Sequence, residues 1–308
     1  MSPLRRQRGF SGNSHRHSTN EAPITRITCE HVHVNTTDTL NTSPLPRHEA
    51  ERLLMTVTER SRTDVVAGIE VNPEQTETFK ALAARRKAGE PLQYLEGTVD
   101  FGPIDLLTDN RALIPRPETE AVWDEARRML GEAGRGTVIV DLCTGSGAMA
   151  LALKSVFPEA RVFATDISED ALSLAKENAA RLGLDIEFFH GDLFDALPKS
   201  IYGRIDLLVS NPPYIEEGEW DELPPDVRDH EPRQALVSGP EGTEILERIA
   251  DDIYWWLGVG GWVLCEIGET QGRRADELFG QWLDTEVRPD LTDRDRILVG
   301  RKGARCCV

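Results

Sequence analysis

The sequence predicts an α/β protein, a doubly wound and mostly parallel sheet with helices on both faces, preceded by a small helical domain. Three observations predict it. From residue 118 onward, strand-like apolar runs alternate with segments of helical periodicity, and alternation of that kind demands crossover connections between parallel strands. Between Pro46 and Gly89 the apolar residues instead recur at three- and four-residue spacings with no strand between them. The first strand of the alternating part runs into a glycine-rich turn and straight on into an apolar helix, where open α/β sheets hold their ligands.

Taken in order, the 308 residues are enough for one large domain and a smaller one, and a 39% apolar fraction fills their cores. Residues 1–44 are rich in Ser, Thr, Asn and His and have little apolar periodicity, so the segment is expected to be a disordered extension. Within it Cys29, His31 and His33 alternate, a weak signal to which no metal site is assigned. Residues 45–90 read as the helical domain: Ala50, Leu53, Leu54 and Val57 share one face, Phe79, Leu82 and Ala83 another, and Asn72-Pro73 and Gly89-Glu90-Pro91 punctuate them. Residues 91–117 read as a hairpin linker, with Gln93–Gly97, Val99, Phe101 and Ile104–Leu107 as short strands. Residues 118–308 read as the sheet domain. Its expected strands are Thr137–Asp141, Arg161–Thr165, Asp185–Phe189, Ile205–Ser210, Gly261–Glu266, Thr285–Arg288 and Arg296–Val299. Its expected helices are Glu118–Leu130, Ala148–Phe157, Glu169–Leu182, Gly242–Leu257 and Gln271–Leu283, with Trp255 and Trp256 read as packing residues.

Composition excludes several functions. No run approaches the roughly 18 apolar residues of a membrane-spanning helix, and the basic start is followed by polar residues rather than a signal-peptide core. A soluble, cytoplasmic chain with no membrane partner is expected. The net charge is −18, and because residues 1–44 hold five basic and three acidic side chains, the rest, with 30 against 50, stands at −20. Such a charge opposes binding to a phosphate backbone, so nucleic acid is not the expected substrate. The five cysteines are scattered without CxxC spacing, which indicates neither a disulfide framework nor a zinc site. Cys306 and Cys307 at the terminus are neighbours, poorly placed to bond to each other.

The chemistry collects at the ends of the strands. In Asp141-Leu-Cys143-Thr144-Gly145-Ser146-Gly147 the glycines let the backbone approach a ligand, and the helix that follows offers free N–H groups. The spacing is neither the G-x-G-x-x-G of a dinucleotide site nor a P-loop. Asp166, ending the second strand, suits a ribose diol, since Ser168 already serves as the helix cap. After the third strand, Asp192 is placed to accept from an adenine amino group and Leu193 to pack on the ring. The most specific element is Ser210-Asn211-Pro212-Pro213-Tyr214. Its prolines fix the backbone and remove two donors, leaving the Asn211 side-chain carbonyl and the Pro212 carbonyl as acceptors for a planar –NH2 group and Tyr214 as a flat face beside it.

In this order, Asp141–Gly147, Asp166, Asp192 and Asn211–Tyr214 resemble the class I S-adenosylmethionine-dependent methyltransferases that act on planar amino groups. Further segments narrow the resemblance: Pro91-Leu-Gln-Tyr94, Phe101-Gly102, Leu113-Ile-Pro-Arg-Pro-Glu-Thr-Glu120, Glu231-Pro-Arg-x-Ala-Leu236, Glu266-Ile-Gly268 with Gln271, and Asp295-Arg296. Together they are similar to the HemK/PrmC family of release factor glutamine methyltransferases over residues 46–302. The resemblance implies a Rossmann-like seven-stranded sheet whose last strand is antiparallel, and a helical domain that helps hold a peptide chain release factor. It also implies methyl transfer from S-adenosyl-L-methionine to the amide nitrogen of the Gly-Gly-Gln glutamine. Carried over, Asp141, Cys143, Thr144, Gly145, Ser146 and Gly147 belong to the methionine side of the cofactor site, Asp166 to the ribose, and Asp192 and Leu193 to the adenine. Asn211, Pro212, Pro213 and Tyr214 form the catalytic loop, with Asn211 also beside the cofactor.

The chain departs from the family pattern in two places, with Cys143 where glycine is usual and Pro240-Glu-Gly-Thr243 where Gly-Asp-Gly-Leu is usual. The other readings are an amino methyltransferase of adenine or guanine in nucleic acid, a divergent glutamine methyltransferase with another protein substrate, and a binding module without catalysis.

Overall fold

The computed structural model describes residues 34–290 and 292–303. The described chain starts with β1 (Val34–Asn35), α1 (Thr36–Thr42), α2 (Arg47–Thr58) and α3 (Arg62–Ala67), followed by β2 (Glu70–Val71), which pairs antiparallel with β1, and α4 (Pro73–Lys87). Local chemistry explains α4. Asn72 accepts from the Gln75 N–H while the Gln75 side chain accepts from the Asn72 N–H, Pro73 begins the first turn, and Arg85, Arg86 and Lys87 sit at the negative end of the helix dipole. Leu53, Leu54, Val65 and Phe79 close the core of these helices.

Two expectations are corrected here. Residues 34–44 are ordered rather than part of a disordered extension. Asn35 caps α1 by accepting from the Asp38 N–H at 2.8 Å, the Thr36 hydroxyl donates to the Val65 carbonyl at 2.6 Å, and Leu40 is buried, so short-range polar pairing supplies what apolar periodicity does not. The Cys29, His31 and His33 cluster lies outside the described residues. Gln93–Gly97 is no strand: α5 (Leu92–Glu96) is a single helical turn closed by Gly97 at φ 77°. Leu92 and Leu95, three apart, are both buried, a spacing that a helix satisfies and a strand does not.

The hairpin proper is β3 (Thr98–Phe101) and β4 (Ile104–Leu107), in register Phe101 opposite Ile104. The sheet domain then runs α6 (Pro117–Leu130), β5 (Val138–Leu142), α7 (Ala148–Val156), β6 (Arg161–Asp166), α8 (Glu169–Leu182), β7 (Glu187–His190), β8 (Ile205–Ser210), β9 (Ile215–Glu216), α9 (Pro225–Arg228) and β10 (Val237–Gly239). It ends with α10 (Glu244–Trp256), β11 (Leu257–Glu266), α11 (Gly272–Phe279), β12 (Asp284–Pro289) and β13 (Asp295–Arg301). The seven-stranded sheet has the order β12-β13-β11-β8-β5-β6-β7, and β13 alone runs against the others, as the resemblance implies.

Every residue of β5 is buried, as a parallel strand covered on both faces requires. Met149, Leu151 and Leu153 of α7 pack over one face, and Leu246, Ile249 and Ile253 of α10 over the other. Trp256 is buried and stacks on Phe194 with ring centroids 5.4 Å apart, whereas Trp255 is 55% exposed and is not the packing residue expected of it. Among the described residues no helix is long and apolar enough to cross a membrane.

The order at the start of the described chain is testable. Asn35→Ala removes the α1 cap and is expected to lower unfolding stability by about 1 kcal/mol, read from the urea midpoint. A midpoint equal to that of the parent means that α1 contributes nothing to the fold in solution.

Candidate active site

The loop after β5 is organised from beneath by Asp141. Its carboxylate is fully buried and one oxygen, Oδ2, accepts from the Thr144 hydroxyl at 2.7 Å and from the Ala150 N–H at 3.0 Å, tying the loop to the first turn of α7. The other oxygen has no partner, and burial pushes the pKa up to about 7. Between these anchors the backbone turns left-handed at Cys143 (φ 58°), Gly145 (φ 56°) and Gly147 (φ 86°). A Cβ on Gly145 meets nothing within 4 Å, so the loop leaves open room there, whereas one on Gly147 falls 2.9 Å from Leu151 Cδ1.

Asp166 at the end of β6 faces this loop. Its Oδ2 accepts from the Gly145 N–H at 2.8 Å and its Oδ1 from the Ser168 N–H at 2.9 Å. Burial raises its pKa while these backbone donors pull the other way. Each oxygen keeps acceptor capacity for a further donor.

Two adjoining cavities open here, of about 790 and 520 Å³, sharing Cys143, Asp166, Ile167, Pro213 and Gln234 as a common wall. The structure brings Cys143, Thr144, Gly145, Ser146, Asp166, Asn211 and Pro213 to the larger cavity, and Asp192 and Leu193 to the smaller. Asp141, Gly147, Pro212 and Tyr214 line neither. Asp141 and Gly147 act through the loop's shape instead. Pro212 is buried, and it is not among the residues lining either cavity. Asp192 is also less free than its sequence position suggests, because Arg248 of α10 donates to it at 2.7 Å on the rim.

Behind Asn211 runs a chain of hydrogen bonds. Asn211 Nδ2 donates to Thr119 Oγ1 at 3.1 Å, Thr119 Oγ1 donates to Glu266 Oε2 at 2.6 Å, and the Tyr214 hydroxyl donates to Glu266 Oε1 at 3.3 Å. Tyr214 therefore turns its hydroxyl toward Glu266 at the end of β11. Burial raises the pKa of Glu266, opposed by Thr119, by the charge of Arg296 and by Tyr214. From the other side Gln271 Nε2 donates to the Tyr214 carbonyl at 2.9 Å and to the Gly242 carbonyl at 3.1 Å, bracing the loop.

With this geometry in place, the relatives can be weighed. Residues 34–97 match the model of the PrmC N-terminal domain and residues 126–223 that of the methyltransferase small domain. A release factor glutamine methyltransferase from Koribacter versatilis is 37% identical over 88% of this chain and 95% of its own length, and one from Mycolicibacterium smegmatis is 40% identical over 84% and 92%. The chain belongs to the release factor glutamine methyltransferase family. Among solved structures, a release factor-specific protein-(glutamine-N5) methyltransferase from Alicyclobacillus acidocaldarius is 27% identical, with a TM-score of 0.39, covering 62% of this chain and 94% of that one. Family membership rests on the curated relatives.

As a member of that family the chain is an S-adenosylmethionine-dependent methyltransferase, and the residues present fit that cofactor. A left-handed glycine loop at the start of a helix, a carboxylate at the next strand end and two adjoining cavities supply a place for each of its parts. The Cys143 departure is compatible with the loop, although its left-handed backbone is the conformation glycine adopts without strain. Burial and Asp166 push its thiol pKa well up, so the side chain sits in the wall as a neutral group. Among the described residues no cluster suited to a metal ion occurs.

Three wall-setting residues escaped the sequence reading. Asn178 is fully buried in α8, accepts from the Leu107 N–H at 2.7 Å, and donates to the Leu107 carbonyl at 3.1 Å and the Ser146 carbonyl at 3.0 Å. Its only signal was a polar residue among the buried positions Leu174, Ala175 and Ala179. Arg111 spends its donors on Asp109, Glu177 and Ser173, pinning the loop after β4 to α8 rather than offering a free cation to the cavity. Gln234, in a loop that no periodicity singles out, reaches both cavities.

Asp141 gives a pH signature. Its folded pKa is raised, so its contribution to stability is complete below the unfolded value near 3.8 and is lost as pH climbs toward about 7. In Asp141→Asn, which cannot titrate, the urea midpoint is expected to fall less than in the wild type between those limits. Parallel pH profiles mean that Asp141 titrates normally.

Proposed function

We propose that the chain transfers a methyl group from S-adenosylmethionine to the side-chain amide nitrogen of the Gly-Gly-Gln glutamine in peptide chain release factors. One observation carries the reading: the Asn211 side chain, its NH2 tied back to Thr119, lines the same cavity as the glycine loop and Asp166. The relatives that match over most of their length are named for this reaction.

When bound, the cofactor supplies a methyl carbon on a sulfonium, open to in-line displacement. An amide nitrogen is a weak nucleophile because its lone pair is delocalised into the carbonyl, so the protein's task is alignment. Asn211 Oδ1 accepts an amide N–H of the glutamine and holds the nitrogen toward the methyl carbon. Such alignment supplies on the order of 7 to 11 kcal/mol as effective molarity. The acceptor also strengthens its bond as positive charge develops on nitrogen. A C–N bond forms as the S–C bond breaks, and the nitrogen, acidic once methylated, loses its proton to water. Asp166 would hold the ribose diol, and the Cys143–Ser146 turn would lie against the methionine part.

The test is radiolabelled methyl transfer to purified release factors, with and without replacement of the Gly-Gly-Gln glutamine, and with an oligonucleotide as a control acceptor. Label that depends on that glutamine is expected; label on the oligonucleotide, or on neither, overturns the reading. Asn211→Ala is expected to cut kcat by about 10²- to 10³-fold with cofactor affinity nearly intact. Asp166→Ala is expected to weaken cofactor binding by roughly 10- to 100-fold, measured by calorimetric titration. Equal loss of both properties in Asn211→Ala refutes the division of roles.

A further inference from the structure

We propose that Thr119 and Glu266 are positioning residues that decide which end of the Asn211 carboxamide faces the cavity, and thereby tune the site to an acceptor that donates hydrogen bonds. The inference rests on the amide-methylating role assigned to Asn211 above. A carboxamide is close to symmetric in shape but opposite in chemistry at its two ends. With Oδ1 outward the site accepts from an –NH2 group; with Nδ2 outward it donates and repels one. Nothing in the Asn-Pro-Pro-Tyr backbone fixes that choice.

The chain of bonds behind Asn211 does. An ionised carboxylate has no hydrogen to give, so Glu266, 1% exposed, acts as a sink for donors. Thr119 Oγ1 lies 2.6 Å from Glu266 Oε2 and commits its single proton there. The threonine oxygen then has only lone pairs left for its other neighbour. What meets it must be a donor, and Asn211 Nδ2 stands there at 3.1 Å. Oδ1, to which no donor among the described residues is bonded, is left for the cavity. Tyr214 reinforces the polarity by giving its proton to Glu266 Oε1; burial, with Glu118 of α6, works against the ionised form, while Thr119, Arg296 of β13 and Tyr214 favour it. The direction of three hydrogen bonds thus follows from one buried carboxyl group whose two oxygens both accept.

The variants that separate this role from simple structural support are Thr119→Val, Thr119→Ser and Glu266→Gln. Thr119→Val keeps shape but removes the hydroxyl; Thr119→Ser keeps the hydroxyl. Glu266→Gln offers an amide that donates to Thr119 Oγ1, releasing the threonine proton toward Asn211 and favouring a reversed carboxamide. For Thr119→Val and Glu266→Gln, kcat for release factor methylation is expected to fall about 10- to 100-fold, with cofactor KM unchanged within about twofold. Thr119→Ser is expected to stay within about threefold of wild type. Melting temperatures identify any variant that merely unfolds. A second readout needs no substrate: the Asn211 side-chain NH2 resonances of the ¹⁵N-labelled protein, assigned by their loss in Asn211→Asp, are expected to move in Thr119→Val and Glu266→Gln and to persist in Thr119→Ser. Wild-type kcat in Thr119→Val, a loss confined to cofactor KM, or unmoved resonances in both variants overturns the proposal. Resonances that move as expected in an enzyme that never labels a release factor leave the positioning role standing and remove the substrate reading instead.

Discussion

The strand order reverses at β5, and the site depends on that reversal. β6 and β7 lie to one side of β5, and β8, β11 and β13 to the other, so the connections leaving β5 and β8 diverge and open a crevice above the carboxyl edge. The loop after β5 and the Asn-Pro-Pro-Tyr segment after β8 become its two walls. Ser210 Oγ donates to the Leu142 carbonyl at 2.8 Å, fixing the ends of these two strands against each other just below the crevice. Chemistry spread over seventy residues of sequence is gathered by a single register.

Around that crevice the protein keeps several carboxyl groups out of water. Asp141, Asp166 and Glu266 all have pKa values raised by burial, and each accepts from neutral donors: Asp141 from its own loop and helix, Asp166 from Gly145 and Ser168, and Glu266 from Thr119 of α6 and from Tyr214. Burial is unfavourable for charge, but in a site of low polarity it also strengthens every hydrogen bond these oxygens accept. Donors that point at a buried carboxylate have few alternatives. The loops are consequently fixed by directional bonds where apolar packing alone would leave them adjustable.

Much of this was legible in the sequence. All seven strands of the sheet were located; the central β5, β6 and β8 leave a continuous apolar mark because they are covered on both faces, and the edge strands β7 and β12, part-exposed, were read from their place after a helix. Glu169–Leu182 emerged with both ends correct because Ser168 and Gly183 cap it unambiguously. That the glycine loop, Asp166 and Asn211 share one cavity could be read from the sequence because each lies at the carboxyl end of a strand of the sheet. What failed was short or relational. The single turn at Leu92–Glu96 is too brief for any period to declare itself, and α1 is held by polar caps that resemble an unstructured polar run. Pro212 and Tyr214 line neither cavity, which residue type could not show, because it does not reveal which way a loop turns its side chains. Asn178 and Arg111 act across more than sixty residues of separation, which spacing within one segment cannot show.

Asn178 has one more consequence. By bonding both polar groups of Leu107 and the carbonyl of Ser146, a single side chain of α8 ties the last residue of the β3–β4 hairpin to the glycine loop after β5. The end of the hairpin and the turn after β5 are thereby held at a fixed spacing by one residue of α8, and the joint is one amide wide.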